Sequence, residues 1–309
     1  MSVPWAAALD AAAAARVTLV LGATDTGKST LVTRLAGALA EAGHAVGVVD
    51  ADLGQSDVGP PTTVGLGRVR GPIARLAEAE LVALEFLGVT SPARCMRETA
   101  ESTARLVRRA QAIGCTRVLI DTSGLVAGAF GHALKRRKID AVRPDVLIAL
   151  QRADECEPIL HGGAGAQGPA IVRLPAPVTT RRSPAVRSQA RRHALEEHLA
   201  GAVAVTLDLT RVAARAAPAA RGLVLTEAEG VLVGLDGRDE GTLGLGWVRA
   251  VDAPRARLTV QTAVAEARIA AVVIGRVVWL RWGGLERAPQ SPRAARDAPT
   301  EPGRPSILR

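Results

Sequence analysis

The sequence predicts an α/β fold: a mostly parallel sheet flanked by helices, followed by a small β domain. Three observations predict it. Gly22-Ala23-Thr24-Asp25-Thr26-Gly27-Lys28-Ser29-Thr30 fits G-x-x-x-x-G-K-[ST] and lies between a β-branched apolar run, Val17–Leu21, and the helical spacing of Leu31, Leu35 and Leu39. Further short apolar runs alternate with helical stretches up to about residue 200, the pattern of a parallel sheet with crossover helices. From residue 201 the chain changes to short strand-like runs broken by Gly, Asp and Pro.

Strand, glycine turn and helix make residues 22–30 a phosphate-binding P-loop, and the class that of the P-loop NTPases. Gly22 and Gly27 let the backbone form a nest of N–H groups, and the helix beginning near Lys28 adds its positive end. The Lys28 ammonium is placed to bridge outer phosphates and the Ser29 hydroxyl to ligate Mg²⁺. The chain has only Lys28, Lys135 and Lys138 as lysines among 39 basic residues, so a lysine kept in the P-loop marks a site an arginine fork does not serve.

Taken in order, residues 1–16 read as a short amphipathic helix leading into the P-loop strand. Val46–Asp50 reads as a second strand, followed by Asp50-Ala51-Asp52-Leu53-Gly54-Gln55. Carboxylates at the end of a strand beside a P-loop hold Mg²⁺ or act as a base, and period two puts Asp50 and Asp52 on one side if the strand continues. The competing reading is two turn carboxylates capping local N–H groups. Leu81–Leu87 reads as a strand, and a helix is expected over 92–112 with Ser91 as N-cap and Pro92 in the first position. Val118–Asp121 is the next strand, ending in Thr122-Ser123-Gly124. For Asp121 a metal role and a structural role stand equal.

Ala129–Val142 reads as a helix carrying Lys135-Arg136-Arg137-Lys138, equally a solvated face or an RNA track. Strands follow at 145–150 and 170–174, with a flexible turn at Gly162–Gly165 between them. Arg181-Arg182-Ser183-Pro184 opens an arginine helix to about Leu199, with Arg187 and Arg191 on one face. This segment, about 181–199, reads as a lid closing on phosphates or as a solvated basic face. Strands are expected at 203–209, 222–225, 230–235, 242–248, 257–261 and 274–280, with Asp236-Gly237 a hairpin turn. The division is thus 1–200, 201–285 and a Pro/Arg-rich tail, 286–309, expected to be disordered.

Composition narrows the function classes. The net charge of +9 and pI near 10.9 favour a polyanionic partner, against the alternative of a solvated arginine-rich surface. Aromatics are only 2%, with no Tyr, which counts against a base-stacking single-strand binder. Cys95, Cys115 and Cys156 show no ligand-like spacing and read as reduced thiols of a cytoplasmic protein without a zinc site. The N-terminus lacks the pattern of a signal peptide, and no apolar run is long enough to suggest a membrane span.

Residues 16–285 resemble the polynucleotide 5′-hydroxyl kinases of RNA processing. That family includes the kinase of the eukaryotic pre-mRNA 3′-cleavage machinery, the ribosomal-RNA-processing kinases, and shorter archaeal and bacterial relatives. The P-loop is similar to the family's, and residues 50–55 match its D-x-D-x-G-Q motif, a more specific signal. Thr122-Ser123-Gly124-Leu125 resembles the substrate clasp T-x-G-W, and Arg182 and Arg187 resemble the lid arginines. The resemblance implies ATP- or GTP-dependent transfer of a γ-phosphate to the 5′-hydroxyl of RNA, and of DNA as a further candidate. It implies Asp52 as general base, Asp50 and Ser29 around Mg²⁺, and Lys28 at the transferring phosphoryl group. Arg182 and Arg187 would close the lid, and Gln55, Thr122, Ser123 and Gly124 would hold the acceptor.

Two departures stand out. Leu125 replaces the clasp Trp, so substrate hold should rest on backbone charge and be steeply salt-dependent. The N-terminal β domain of the eukaryotic members is expected to be absent. Two rival functions remain: an NTPase coupled to assembly or metal delivery, marked by turnover without nucleic acid, and a non-catalytic nucleotide-holding scaffold, marked by bound but unconsumed nucleotide.

Overall fold

The computed structural model describes residues 3–161, 168–177, 182–239, 241–280 and 284–287. Helix α1 (Val3–Ala14) leads into β1 (Val17–Gly22), the P-loop and α2 (Lys28–Glu41). Strands β2 (Val46–Ala51), β3 (Thr63–Val69) and β4 (Glu80–Phe86) precede α3 (Met96–Ala112), and β5 (Arg117–Thr122) precedes α4 (Gly128–Val142). Then come β6 (Val146–Gln151), α5 (Glu157–Leu160), β7 (Ala170–Pro175) and α6 (Pro184–His198). The remainder is β8 (Val203–Asp208), β9 (Ala213–Ala216), β10 (Val231–Asp236), β11 (Thr242–Asp252), β12 (Arg257–Thr262), β13 (Ala271–Leu280) and β14 (Gly284–Arg287).

The parallel part of the sheet has the order β7-β6-β1-β5-β2. Strands β1, β2, β5 and β6 are buried on both faces, as the continuous apolar runs require, while the edge strand β7 is largely exposed. Period two divides β1 between two cores. Leu19 and Leu21 face a cluster that includes Leu106, Val107 and Ala110 of α3, while Val20 faces one with Ala8 and Ala12 of α1 and Leu35 and Leu39 of α2. The Arg34 guanidinium lies 4.4 Å from the centre of the Trp5 ring and fastens α1 to α2.

Beyond β2 the sheet turns antiparallel through β3 and β4. It then passes to the C-terminal strands through a single pair, Thr242 with Leu84, and continues β11-β10-β13-β14. β12 pairs with β11 and β8 with β12, while β9 runs parallel to β13. The apolar residues of this half form one cluster of their own, around Val233, Leu235, Leu258 and Val260, and share a second with Phe86 of β4 and Leu195 of α6.

Several local expectations change. Ser91-Pro92 opens only a single 3₁₀ turn, Pro92–Arg94, and α3 starts at Met96, so Ser91 does not cap the long helix. Residues 222–225 make no strand; Leu225–Glu227 is a 3₁₀ turn because the segment finds no ladder partner. The hairpin at Asp236-Gly237 is present but longer than two residues, with Gly237 N–H bonded to the Gly241 carbonyl. Glu286 and Arg287, assigned to the tail, lie in β14, paired with β13. The Gly162–Gly165 turn, Arg181 and the rest of the tail, 288–309, lie outside the described residues. Among the described residues no helix is long and apolar enough to cross a membrane, and the three cysteines are free and buried.

Candidate active site

The site forms at the carboxyl ends of β1, β5 and β2, where the P-loop and two acid-bearing turns converge. In the P-loop, Gly27 takes φ 86°, a left-handed conformation that favours glycine, and hands the chain directly to α2. Thr26 Oγ1 and Lys28 Nζ both donate to the Ala23 carbonyl, at 2.9 and 2.8 Å. Gly22 and Lys28 are buried, Ala23, Asp25 and Ser29 half-buried, and Thr24 and Thr30 exposed. Burial lowers the Lys28 pKa, opposed by the field of Asp121 and Asp52.

The strand order decides which acid meets the P-loop. β5 lies between β1 and β2, so the carboxylate beside the P-loop is Asp121. Ser29 Oγ donates to Asp121 Oδ2, and Asp121 Oδ1 is buried without a hydrogen-bond partner. Burial pushes this carboxyl up to about 6, against the pull of Lys28 and the Ser29 hydroxyl. An unsatisfied buried carboxylate oxygen next to a P-loop serine is a fitting donor set for a divalent cation.

Asp50, expected with Ser29 around the metal, is placed differently. It is fully buried, and its oxygens accept the N–H groups of Asp52 (3.0 Å), Asp57 (2.6 Å) and Val58 (3.2 Å) and the Ser56 hydroxyl (3.3 Å). Asp50 therefore folds the loop over 50–58, and Ser29 turns to Asp121 instead. Strand β2 stops at Ala51, so the period-two alignment of Asp50 with Asp52 does not apply. Asp52 is half-buried in its own turn, with Oδ1 accepting from Gly54 and Gln55 N–H at 2.9 and 3.1 Å. The local-capping alternative thus describes Asp50 fully and Asp52 in part, because Asp52 Oδ2 takes no part in those bonds.

The arginine helix is docked onto this site. Ser183 accepts from Val186 N–H and Pro184 holds the first helical position, as the sequence signals. Arg187 Nη2 donates to Asp25 Oδ2 at 2.7 Å, and the Arg182 N–H donates to the same oxygen at 3.1 Å. Gln55 Nε2 reaches the Arg187 carbonyl at 3.2 Å. The P-loop, the 50–55 turn and α6 are thereby joined through Asp25, Arg187 and Gln55. The Arg191 Nε on the next turn is buried without a hydrogen-bond partner.

Thr122 and Ser123, expected to hold the substrate, are buried, and both hydroxyls lie within 3.5 Å of Lys135 Nζ. Thr122 Oγ1 donates to the Val20 carbonyl at 2.8 Å and accepts from Lys135 Nζ at 2.8 Å. The Ser123 carbonyl also accepts from Lys135 Nζ. Gly124 packs so tightly on the P-loop that a Cβ there would meet Thr24 at 2.4–2.5 Å. Leu125 is the exposed residue of this turn. Lys135 and Lys138 lie fully buried, so neither a solvated face nor an RNA track describes them; the exposed residues between them are Arg136 and Arg137. A run of four basic residues gives no sign of this division. The Asp25 latch likewise has no sequence signal beyond its place in the P-loop.

The family model of the mRNA cleavage and polyadenylation factor CLP1 P-loop matches residues 22–201. A protein named polyribonucleotide 5′-hydroxyl-kinase from Pyrococcus furiosus is 38% identical over 144 residues, 47% of this chain and 40% of that protein. Its namesake from Thermococcus kodakarensis is 40% identical over 136 residues, 44% of this chain and 38% of that protein. The matched region thus spans about 40% of the length of these relatives. The fold is similar to that solved for a wild-type Clp1p–Pcf11p complex, with a TM-score of 0.63 at 11% identity over 85% of this chain and 74% of that one. Because the family model covers more than half of the chain, including the P-loop, the acid turns and the docked helix, the protein belongs to the CLP1 P-loop family.

Proposed function

We propose that the protein is a polynucleotide 5′-hydroxyl kinase, transferring the γ-phosphate of ATP or GTP to the 5′-hydroxyl of RNA, with DNA 5′ ends as the competing acceptor. The observation that carries this reading is that two groups share one end of the sheet, with the Asp52 charge acting on Lys28. Lys28, Ser29 and Asp121 make a phosphate- and metal-suited half, and Asp52 supplies a half-buried carboxylate on the neighbouring turn. The names of the archaeal relatives support the same chemistry. The basic net charge suits a polyanionic acceptor.

In this reading Lys28 neutralises charge on the outer phosphates, and the P-loop N–H groups hold the rest. Ser29 and Asp121 would hold Mg²⁺, which would supply positive charge to the phosphate oxygens. Asp52 accepts the proton of the 5′-hydroxyl as the oxygen becomes the nucleophile. Arg187 exchanges Asp25 for phosphate oxygens, and Arg182 lies at the entrance of the same helix. Gln55 keeps that helix in register with the Asp52 turn. Residues 201–285 we read as a second unit that supports the sheet from its β4 edge. Asp52→Ala tests the assignment: transfer should fall about 10²- to 10⁴-fold, the range of a lost general base, with nucleotide affinity kept. Transfer at the wild-type rate would remove Asp52 from the role.

A further inference from the structure

All three lysines of this arginine-rich chain are buried at the same end of the sheet, among Asp50, Asp52 and Asp121. Lys28 belongs to the P-loop. The other two come from α4, and the chemistry above does not use them. Burying a lysine head costs free energy unless its N–H groups are matched, so two fully buried lysines on one helix call for a reason.

Their partners supply it. Lys138 Nζ donates at 2.8 Å to the carbonyl of Ala51, the last residue of β2 and the one directly before Asp52. Lys135 Nζ faces three acceptors at the end of β5: Thr122 Oγ1, the Ser123 carbonyl and, at 3.5 Å, Ser123 Oγ. Thr122 passes the connection to the Val20 carbonyl of β1. One turn of one helix therefore ties the ends of β2, β5 and β1 together. A lysine head on a four-carbon stem reaches a single carbonyl deep in a packed end, where the broad guanidinium of arginine is too large.

We propose that Lys138 and Lys135 are positioning residues: they lock the Asp52 turn and the Thr122–Gly124 turn to one another, so that acceptor and donor halves are presented at a fixed separation. The kinetic consequence rests on the transfer reading above; the structural consequence does not. Lys138 sits in the field of Asp52, Asp50 and Asp121, with the Cys95 thiol also facing it, and burial lowers it only to about 8, so it is an ammonium at neutral pH. Lys135 is pushed well below its usual range by burial and by Lys138 and Lys28, and its head is matched by the acceptors at the end of β5.

Lys138→Met keeps the stem and removes the head, as does Lys135→Met. Arg137→Ala, on the exposed face of α4, is the control. Two readings are taken on the full chain: amide hydrogen exchange over 51–58 and 122–126, and single-turnover transfer from γ-labelled ATP to a 5′-hydroxyl RNA. Binding of a fluorescent ATP analogue is measured alongside. The expected result for Lys138→Met is faster exchange at 51–58, P-loop exchange and nucleotide binding unchanged, and transfer lowered about 100-fold relative to hydrolysis, the cost of a misplaced reacting group. A purely structural role would instead move nucleotide binding, thermal midpoint and transfer together. Unchanged exchange and unchanged transfer in both lysine variants would overturn the proposal. If Lys138→Met does not fold, Lys135→Met decides by the same readings at 122–126. A wild-type protein that phosphorylates no RNA would overturn the transfer reading, while the exchange comparison would still decide the lysine proposal.

Discussion

The ends of β2 and β5 look alike in sequence and behave differently. Each adjacent strand carries a buried aspartate near its carboxyl end, and Asp50 and Asp121 stand opposite one another in the ladder. Asp50 is enclosed by three backbone N–H groups and a serine hydroxyl of its own loop. Asp121 holds one serine hydroxyl and keeps a buried oxygen without a partner. Burial raises both carboxyls, so burial does not separate them. The separation lies in saturation: a carboxylate whose lone pairs are spent on its own loop builds the site, and one left short of donors is available to a cation.

Substitutions can break or sharpen that contrast. Asp121→Asn should have the largest effect: transfer falls about 10³-fold or more, several kcal/mol of lost charge stabilisation, with the fold kept. Titrating Mg²⁺ against single-turnover rates checks it. Arg187→Ala should come next, with transfer down about 10²-fold through loss of a cation at the phosphates. Asp25→Ala leaves that cation in place, so the two variants measured side by side separate charge at the phosphates from the latch. Asp50→Ala should change metal dependence least and act on stability instead. It strands the N–H groups of Asp52, Asp57 and Val58, at roughly 1–3 kcal/mol for each buried group left unsatisfied. Thermal unfolding reads the loss. An Asp50 variant that lost Mg²⁺ dependence while unfolding normally would reverse the assignment of the two acids.

The same contrast explains what was legible in the sequence. The P-loop, β1 and α2 were readable because the signal is local: glycines at fixed offsets between a β-branched run and a helical leucine spacing. Ser183-Pro184 was readable for the same reason, as a cap bonds only to its own first turn. The choice between Asp50 and Asp121 was not, because it depends on β5 being inserted between β1 and β2, a long-range fact. The Lys135 and Lys138 heads were equally hidden. Their depth follows from how α4 packs over the strand ends, and a Lys-Arg-Arg-Lys run looks polar throughout. Ser91-Pro92 misled because its turn signal is genuine but is used for one 3₁₀ turn before the helix starts at Met96.

The most direct test of the central claim is phosphate transfer by the full chain from γ-labelled ATP to a short 5′-hydroxyl RNA in the presence of Mg²⁺, with matched DNA and Lys28→Ala alongside. The account predicts label on the RNA 5′ end, lost in the Lys28 variant. Label released only as free phosphate, with the RNA unmodified, would contradict it.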